Sequence, residues 1–301
     1  MRAVQFNQYG GPDVLQLAER ETPVAGPGEI LIRVAAIGVN PADCKWRQGM
    51  FAERVPLSLP HVPGYDVAGI VESSDAGDVR SGDRVAAMLP SHRQGAYAEW
   101  VVAPEANCAI LPPDLDLAVA AALPTAGLTG VQMIEEQLDV QPGQTILITG
   151  ATGAVGRFAL HAAKARGAKV VAGVREEYRA EALAMGADAV AVLGEAWAGE
   201  TFDAVADTVG GAIVAPLCRH LRAGGLIRTV STTPIPVDGL PATPVFFPVH
   251  ADAPRLAQLA SDVAAGHMSV PVAMRLPLSD AAQAQQLTET GRQRGKVVLE
   301  P

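Results

Sequence analysis

Apolar and polar positions fall into two regimes along the chain. Over the first 110 or so residues, short runs rich in β-branched residues sit between Gly and Pro turns, as in EILIRVAAI, DVAGIVES, DRVAAM and AYAEWVVA. Such runs between turn signals predict strands, so this half reads as all-β. From about Pro124 strands alternate with helix-period segments. TILIT at 145–149 precedes a helix over 154–166, KVVAGV at 169–174 precedes a helix near 177–185, and AVAVL follows at 189–193. FDAVADTV at 202–209, a helix near 212–222 and LIRTVS at 226–231 continue the series. Alternation of this length predicts a parallel sheet covered on both faces. The Pro-rich passage 234–248 ends it, and a helix over 253–265, strand-like VPVAMRLP, a helix over 279–290 and a final strand KVVLE follow.

The predicted class is α/β with a second, all-β domain. Residues 1–122 form the β-domain, 123–251 the doubly wound domain, and 252–301 a segment that returns to the first. Leu117 to Ile134 carries no charge and approaches a spanning length, but Pro124, Thr125, Gly127, Thr129, Gly130 and Gln132 interrupt it. A buried turn leading into a helix accounts for these residues better than a membrane span.

TILITGATGAVGRFALHAAKARGAKVV sets Gly150, Gly153 and Gly156 three residues apart, directly after a strand and at the start of a helix. Glycines there allow a tight turn and close approach to a pyrophosphate, while the helix start, with Thr152, Ala154 and Val155, offers N–H groups and a positive dipole end. The strand before, the helix after and the second strand make the spacing a dinucleotide site. A carboxylate ending the second strand would bond a free ribose and repel a 2′-phosphate. This chain has Gly173, Val174 and Arg175 there, with Tyr178 and Arg179 close behind, which favours NADPH. The same residues, mixed with Glu176 and Glu177, also read as solvated charges on a helix start.

A formal charge of −9 and a pI of about 5.2 disfavour a general nucleic-acid binder. No long apolar stretch follows Arg2, so the N-terminus does not read as a signal peptide, and a cytoplasmic location is expected. Cys44, Cys108 and Cys218 are far apart and read as free thiols.

Ordered motifs along nearly the whole chain resemble the medium-chain dehydrogenase/reductases, and within them the quinone oxidoreductase group related to zeta-crystallin. They are Val39-Asn40-Pro41-Ala42-Asp43 with Arg47 and Gly49, Pro63-Gly64-Tyr65-Asp66-Val67-Ala68-Gly69, Gly82-Asp83-Arg84-Val85 and Gly95-Ala96-Tyr97-Ala98-Glu99. Leu123-Pro124-Thr125-Ala126-Gly127-Leu128-Thr129, the glycine loop and Gly295-Lys296-Val297-Val298-Leu299 complete the set. The resemblance implies a GroES-like β-domain completed by the C-terminal segment, a Rossmann domain, an active cleft where they meet, and a homodimer.

Departures from the zinc-dependent relatives are equally informative. Asn40-Pro41, Tyr65-Asp66 and Thr125 stand where that branch carries its zinc ligands, and the four-Cys structural lobe is missing. The expectation is a zinc-free protein, whose substrates accept hydride without a Lewis acid: quinones, or α,β-unsaturated carbonyls. Asn40 is the first candidate to donate to a developing oxyanion, and Tyr65 a second donor or a turn residue. Asp43 is given a supporting role, ordering Asn40 and its loop. Thr125 and Thr129 resemble positions that contact the nicotinamide amide or the substrate. Asp207 and Val209 end a strand at the cofactor edge, and Ser231 follows the next strand. Phe246 and Phe247 read as an apolar cover or as core. Arg294 and Lys296 read as phosphate contacts or as solvated tail charges. Hydride transfer from NADPH to a quinone leads; enone or alkenal double-bond reduction, or an NADPH-binding structural or sensor protein, are the alternatives.

Overall fold

The computed structural model describes residues 1–74, 77–291 and 293–301 and divides into two compact units. Unit 1 comprises Met1–Thr125 and Ala251–Pro301, and unit 2 comprises Ala126–His250.

Unit 1 opens with an antiparallel pair, β1 (Arg2–Gln5) and β2 (Gln16–Glu19). β3 (Glu29–Gly38), α1 (Pro41–Arg47), β4 (Asp66–Ser74), β5 (Arg84–Met88), β6 (Trp100–Pro104), β7 (Cys108–Ile110) and α2 (Leu117–Ala121) follow. β3, β4, β5 and β7 are antiparallel neighbours, and β6 pairs with β3. Inward positions such as Ile30, Ile32, Val67, Val85 and Val101 form the core of the unit.

The helix α1 lies in the half that reads as all-β from its periodicity. Its cause is local: Asn40 precedes it, Pro41 occupies its first turn, and the Asp43 carboxylate accepts the Asn40 backbone N–H at 2.8 Å. Pro at the first helical position and an acidic residue two places later are start signals that outweigh β-periodicity over so short a stretch.

The chain passes into unit 2 within α3 (Pro124–Gln132). There β8 (Thr145–Thr149), α4 (Ala154–Ala165), β9 (Lys169–Val174), α5 (Arg179–Ala184), β10 (Ala189–Val192), β11 (Phe202–Asp207), α6 (Ala215–Cys218), β12 (Leu221–Thr229) and β13 (Val245–Phe246) form the doubly wound pattern. The six strands are parallel in the order β10-β9-β8-β11-β12-β13. Leu147, Val171, Val205 and Ile227 are buried in its core. α6 is shorter than the helix expected over 212–222. Gly210 and Gly211 both take positive φ before it, and β12 already begins at Leu221.

The chain then returns to unit 1 with α7 (Ala253–Ala264), β14 (Val272–Pro277), α8 (Ala281–Thr290) and β15 (Lys296–Glu300). β15 joins the large sheet antiparallel to β3, with Val298 opposite Gly38. Among the described residues no helix is long and apolar enough to cross a membrane.

Candidate functional site

In unit 2 the turn from β8 into α4 is a cradle closed by backbone contacts. Gly150 adopts φ +64°, and a Cβ at Gly156 would lie 2.1 Å from the Gly150 carbonyl oxygen, so only glycine fits there. Gly153 precedes α4 without a side-chain cap, and first-turn N–H groups, around Ala154 and Val155, have no partners within the helix. Such groups, at the positive end of the helix, suit a pyrophosphate. Arg157, missed in the sequence, is buried and donates to the Thr152 carbonyl at 2.8 Å, bracing the loop from behind.

Asp207, at the end of β11, works differently from the cofactor contact expected of it. Its carboxylate is fully buried and accepts from the Thr149 and Thr229 hydroxyls at 2.6 Å each, and from the Val209 and Gly210 N–H groups at 3.1 and 2.9 Å. It therefore ties three strand ends together rather than reaching outward. Ser231 is likewise engaged, donating to the Val209 carbonyl at 2.9 Å. Of the two phenylalanines, Phe247 is buried and Phe246 is 52% exposed, so Phe247 is core. Thr129 is buried on α3.

After β9 the expected cations are unequal. Arg179 is held by Glu176 through both carboxylate oxygens at 2.8 Å, whereas exposed Arg175 faces Glu177 at 4.0 Å. Tyr178 lies between them in the same turn.

The other candidates gather in a buried polar cluster in unit 1. Asp66, fully buried, accepts at one oxygen from the Thr125 N–H (2.9 Å) and hydroxyl (2.6 Å), and at the other from the Asn40 amide (2.9 Å). The second Asn40 amide hydrogen goes to the Gly38 carbonyl at 3.2 Å, and the Asn40 oxygen accepts from the Lys296 ammonium. Lys296 also faces Asp66 at 3.8 Å.

Three residues are engaged differently from the roles read in the sequence. Asn40 has both amide hydrogens committed inside the cluster, and the Thr125 hydroxyl is committed to Asp66, so neither offers a spare donor to an acceptor oxygen. Lys296 is neither a solvated tail charge nor a phosphate contact: it is 5% exposed, enclosed by Asn40 and Asp66. Arg294 is exposed. Burial pulls the Lys296 ammonium down and pushes the Asp66 carboxyl up, and their mutual attraction opposes both shifts.

Asn40→Ala is consequently expected to act on stability first. It would strip a buried ammonium of its acceptor and Asp66 of a donor, at a cost of about 1 to 3 kcal/mol. Urea unfolding checks this; wild-type stability with selectively lost turnover would restore the donor role.

Asp43 lies beside the cluster and is buried as completely. One oxygen accepts from the Asn40 N–H and, at 3.3 Å, from Tyr97; the other, Oδ1, has no partner among the described residues. Burial, aided by the Asp66 charge, raises its carboxyl to about 7. Tyr65 lies outside the cluster, and burial raises its phenol against the lowering effect of Ser91 and Trp46. Among the described residues no three His, Cys, Asp or Glu side chains are grouped to hold a metal ion.

Residues 26–113 match the alcohol dehydrogenase GroES-like domain, and residues 166–299 match the zinc-binding dehydrogenase model. The chloroplastic quinone-oxidoreductase QR1 of Triphysaria versicolor is 38% identical over 172 residues, 54% of this chain and 52% of that protein. Several further quinone oxidoreductases are likewise matched over about half their length, whereas the chloroplast envelope quinone oxidoreductase homolog of Arabidopsis thaliana, 29% identical, is covered over 98% of its length. The quinone oxidoreductase from Coxiella burnetii superposes with a TM-score of 0.89 at 31% identity, covering 100% of this chain and 99% of that one. An NAD-dependent alcohol dehydrogenase gives the same score and identity, with both chains fully covered. A mycobacterial protein solved in complex with NADPH gives 0.85 at 29%, again with both chains fully covered.

Proposed function

This chain belongs to the medium-chain dehydrogenase/reductases, with relatives of quinone oxidoreductase type, and on that footing we propose that it is an NADPH-dependent, zinc-free reductase of quinones or related electron-poor carbonyls. The observation that carries the reading is the glycine cradle, where a Cβ at Gly156 would fall 2.1 Å from the Gly150 oxygen. A surface without side chains, facing the first turn of a helix, fits a dinucleotide pyrophosphate. The bound dinucleotide supplies the hydride; the protein's own residues bind, orient and manage the proton.

Arg175 supports the 2′-phosphate assignment, because it follows β9 where a carboxylate would oppose a phosphate and Glu177 stands as far as 4.0 Å from it. The zinc-free assignment rests on donor chemistry. An amide already committed to Lys296, a phenol whose pKa is raised and a hydroxyl bonded to Asp66 form no set of anionic or imidazole ligands. A cytoplasmic homodimer is proposed on the sequence grounds alone.

The test is NADPH oxidation with a panel of quinones, enones and aldehydes, beside elemental analysis and binding of both cofactors to Arg175→Ala. Quinone turnover is expected, without stoichiometric zinc. Arg175→Ala should weaken NADPH by about tenfold to a hundredfold and NADH hardly at all. Arg179→Ala should cost less, since Glu176 already occupies that guanidinium. Equal losses for both cofactors would remove the phosphate role, one tightly held zinc per chain would sink the zinc-free reading, and turnover confined to enones would redirect the substrate class.

A further inference from the structure

The two groups left over from the cluster in unit 1, Asp43 and Tyr65, line one small cavity together with Trp46, His61, Pro63 and Ser91, and Arg93 stands at its rim. Its volume, about 10 Å³ for water-sized spheres, takes a single water. The unpartnered Oδ1 belongs to one of its lining residues, in a carboxyl that is otherwise fully buried. A buried carboxyl oxygen without a protein partner costs stability unless it carries a proton or meets water.

We propose that Asp43 and Tyr65 form a two-member proton relay, in which Tyr65 gives its proton to the reduced acceptor and Asp43 refills Tyr65 through the cavity they share. The inference rests on the reductase reading above. Hydride addition to a quinone or enone leaves a negative oxygen that must gain a proton. The Tyr65 O–H bond breaks as the acceptor O–H bond forms, the Asp43 proton moves through one water to the Tyr65 oxygen, and the carboxylate regains a proton from solvent past Ser91 and Arg93. No electrons move beyond the hydride pair.

The division of labour follows from burial. Tyr65 alone is a poor acid, since burial opposes a phenolate, so it donates only when refilled in the same step. Asp43 is suited to storage, because desolvation holds its proton to about pH 7. The charged and titratable groups facing it are Asp66 on β4, Lys296 on β15, Tyr97, Tyr65 and its neighbour Cys44 on α1. Burial raises Cys44 to about 12 and lowers His61 in the cavity wall to about 4, so neither competes as a store near neutrality. Lys296 is one cation between two buried carboxyls, which leaves one of them to be neutralised by a proton. Asp66 has three close donors against Asp43's two and holds the charge; Asp43 holds the proton.

The experiment combines a carboxyl 13C titration of the whole protein, assigned with Asp43→Asn, with thermal melting against pH and steady-state kinetics of wild type, Asp43→Asn and Tyr65→Phe. The raised Asp43 carboxyl implies that wild type loses stability as pH rises from about 4 to about 7, because the folded state holds a proton that the unfolded chain releases. Asp43→Asn, which mimics the protonated carboxyl, should flatten that dependence. Wild-type turnover should fall above the Asp43 titration, and Asp43→Asn should be slow at every pH. Tyr65→Phe should lose about a hundredfold in turnover while NADPH binding and the Asp43 titration persist. An Asp43 that is ionised already at pH 5, or a Tyr65→Phe protein with wild-type turnover, overturns the relay and leaves the reductase reading standing. Absence of turnover in wild type with every acceptor overturns the reductase reading and the relay with it, whatever the 13C titration shows. Should Asp43→Asn fail to fold, the wild-type titration and Tyr65→Phe decide alone.

Discussion

Gly156→Val is expected to leave the protein without measurable NADPH affinity, a loss of at least about a hundredfold. The first side-chain atom would fall 2.1 Å from the Gly150 oxygen and 2.7 Å from the Ala151 Cα, and both are backbone atoms at the base of the cradle. Relief requires α4 to move away from β8, which takes its first-turn N–H groups with it. Overpacking of this kind also costs about 1 to 3 kcal/mol of stability. Gly153→Ala is the control, since its Cβ meets the same oxygen at 3.1 Å and should leave the fold intact. Fluorescence titration of NADPH with melting of the apoprotein separates the two effects. NADPH bound at wild-type affinity by a folded Gly156→Val protein would end the case for a pyrophosphate at this turn.

Asp207→Ala should be the most destabilising single change in unit 2, by about 3 to 5 kcal/mol. Removing the carboxylate orphans two hydroxyls and two backbone N–H groups together, at the junction of β8, β11 and β12. Asp207→Asn keeps one acceptor oxygen and should lie between Ala and wild type. Because Val209 and Gly210 hang from this carboxylate, NADPH affinity should fall along with stability. Urea denaturation gives the first number; a loss under about 1 kcal/mol would mean that water replaces the carboxylate and that the strand ends hold without it.

The parts of the fold legible in the sequence are those whose cause is local. TILIT, KVVAGV and KVVLE form strands with the bounds their residues imply, because β-branched runs between turn signals need no distant partner to declare themselves. The glycine spacing was readable for the same reason: the crowding it relieves is between residues six apart. Where the deciding partner is remote, the local sequence carries no sign of it. Nothing near Lys296 in the chain reveals that its ammonium ends between Asn40 and Asp66. Nothing around Asn40 reveals that both its amide hydrogens are taken. Asp66 and Asp207 carry more of the architecture than their motifs suggest, since a buried carboxylate is recognised by the donors around it, and those come from other strands. The helix at Pro41 is an intermediate case, for its start signals were present and β-periodicity on either side concealed them.

The interruption of unit 1 by unit 2 sets an order of assembly. Unit 2 is a single stretch of chain, whereas the sheet of unit 1 waits for β15 to lie against β3. Contacts between such distant segments form late, since a long loop must close before they are rewarded. Until then the nascent chain holds the carboxyls of Asp43 and Asp66 without the ammonium that faces them in the finished protein. Two acids brought together with no counter-charge resist being dehydrated, so closure of the first unit around its polar heart is coupled to arrival of the very last strand.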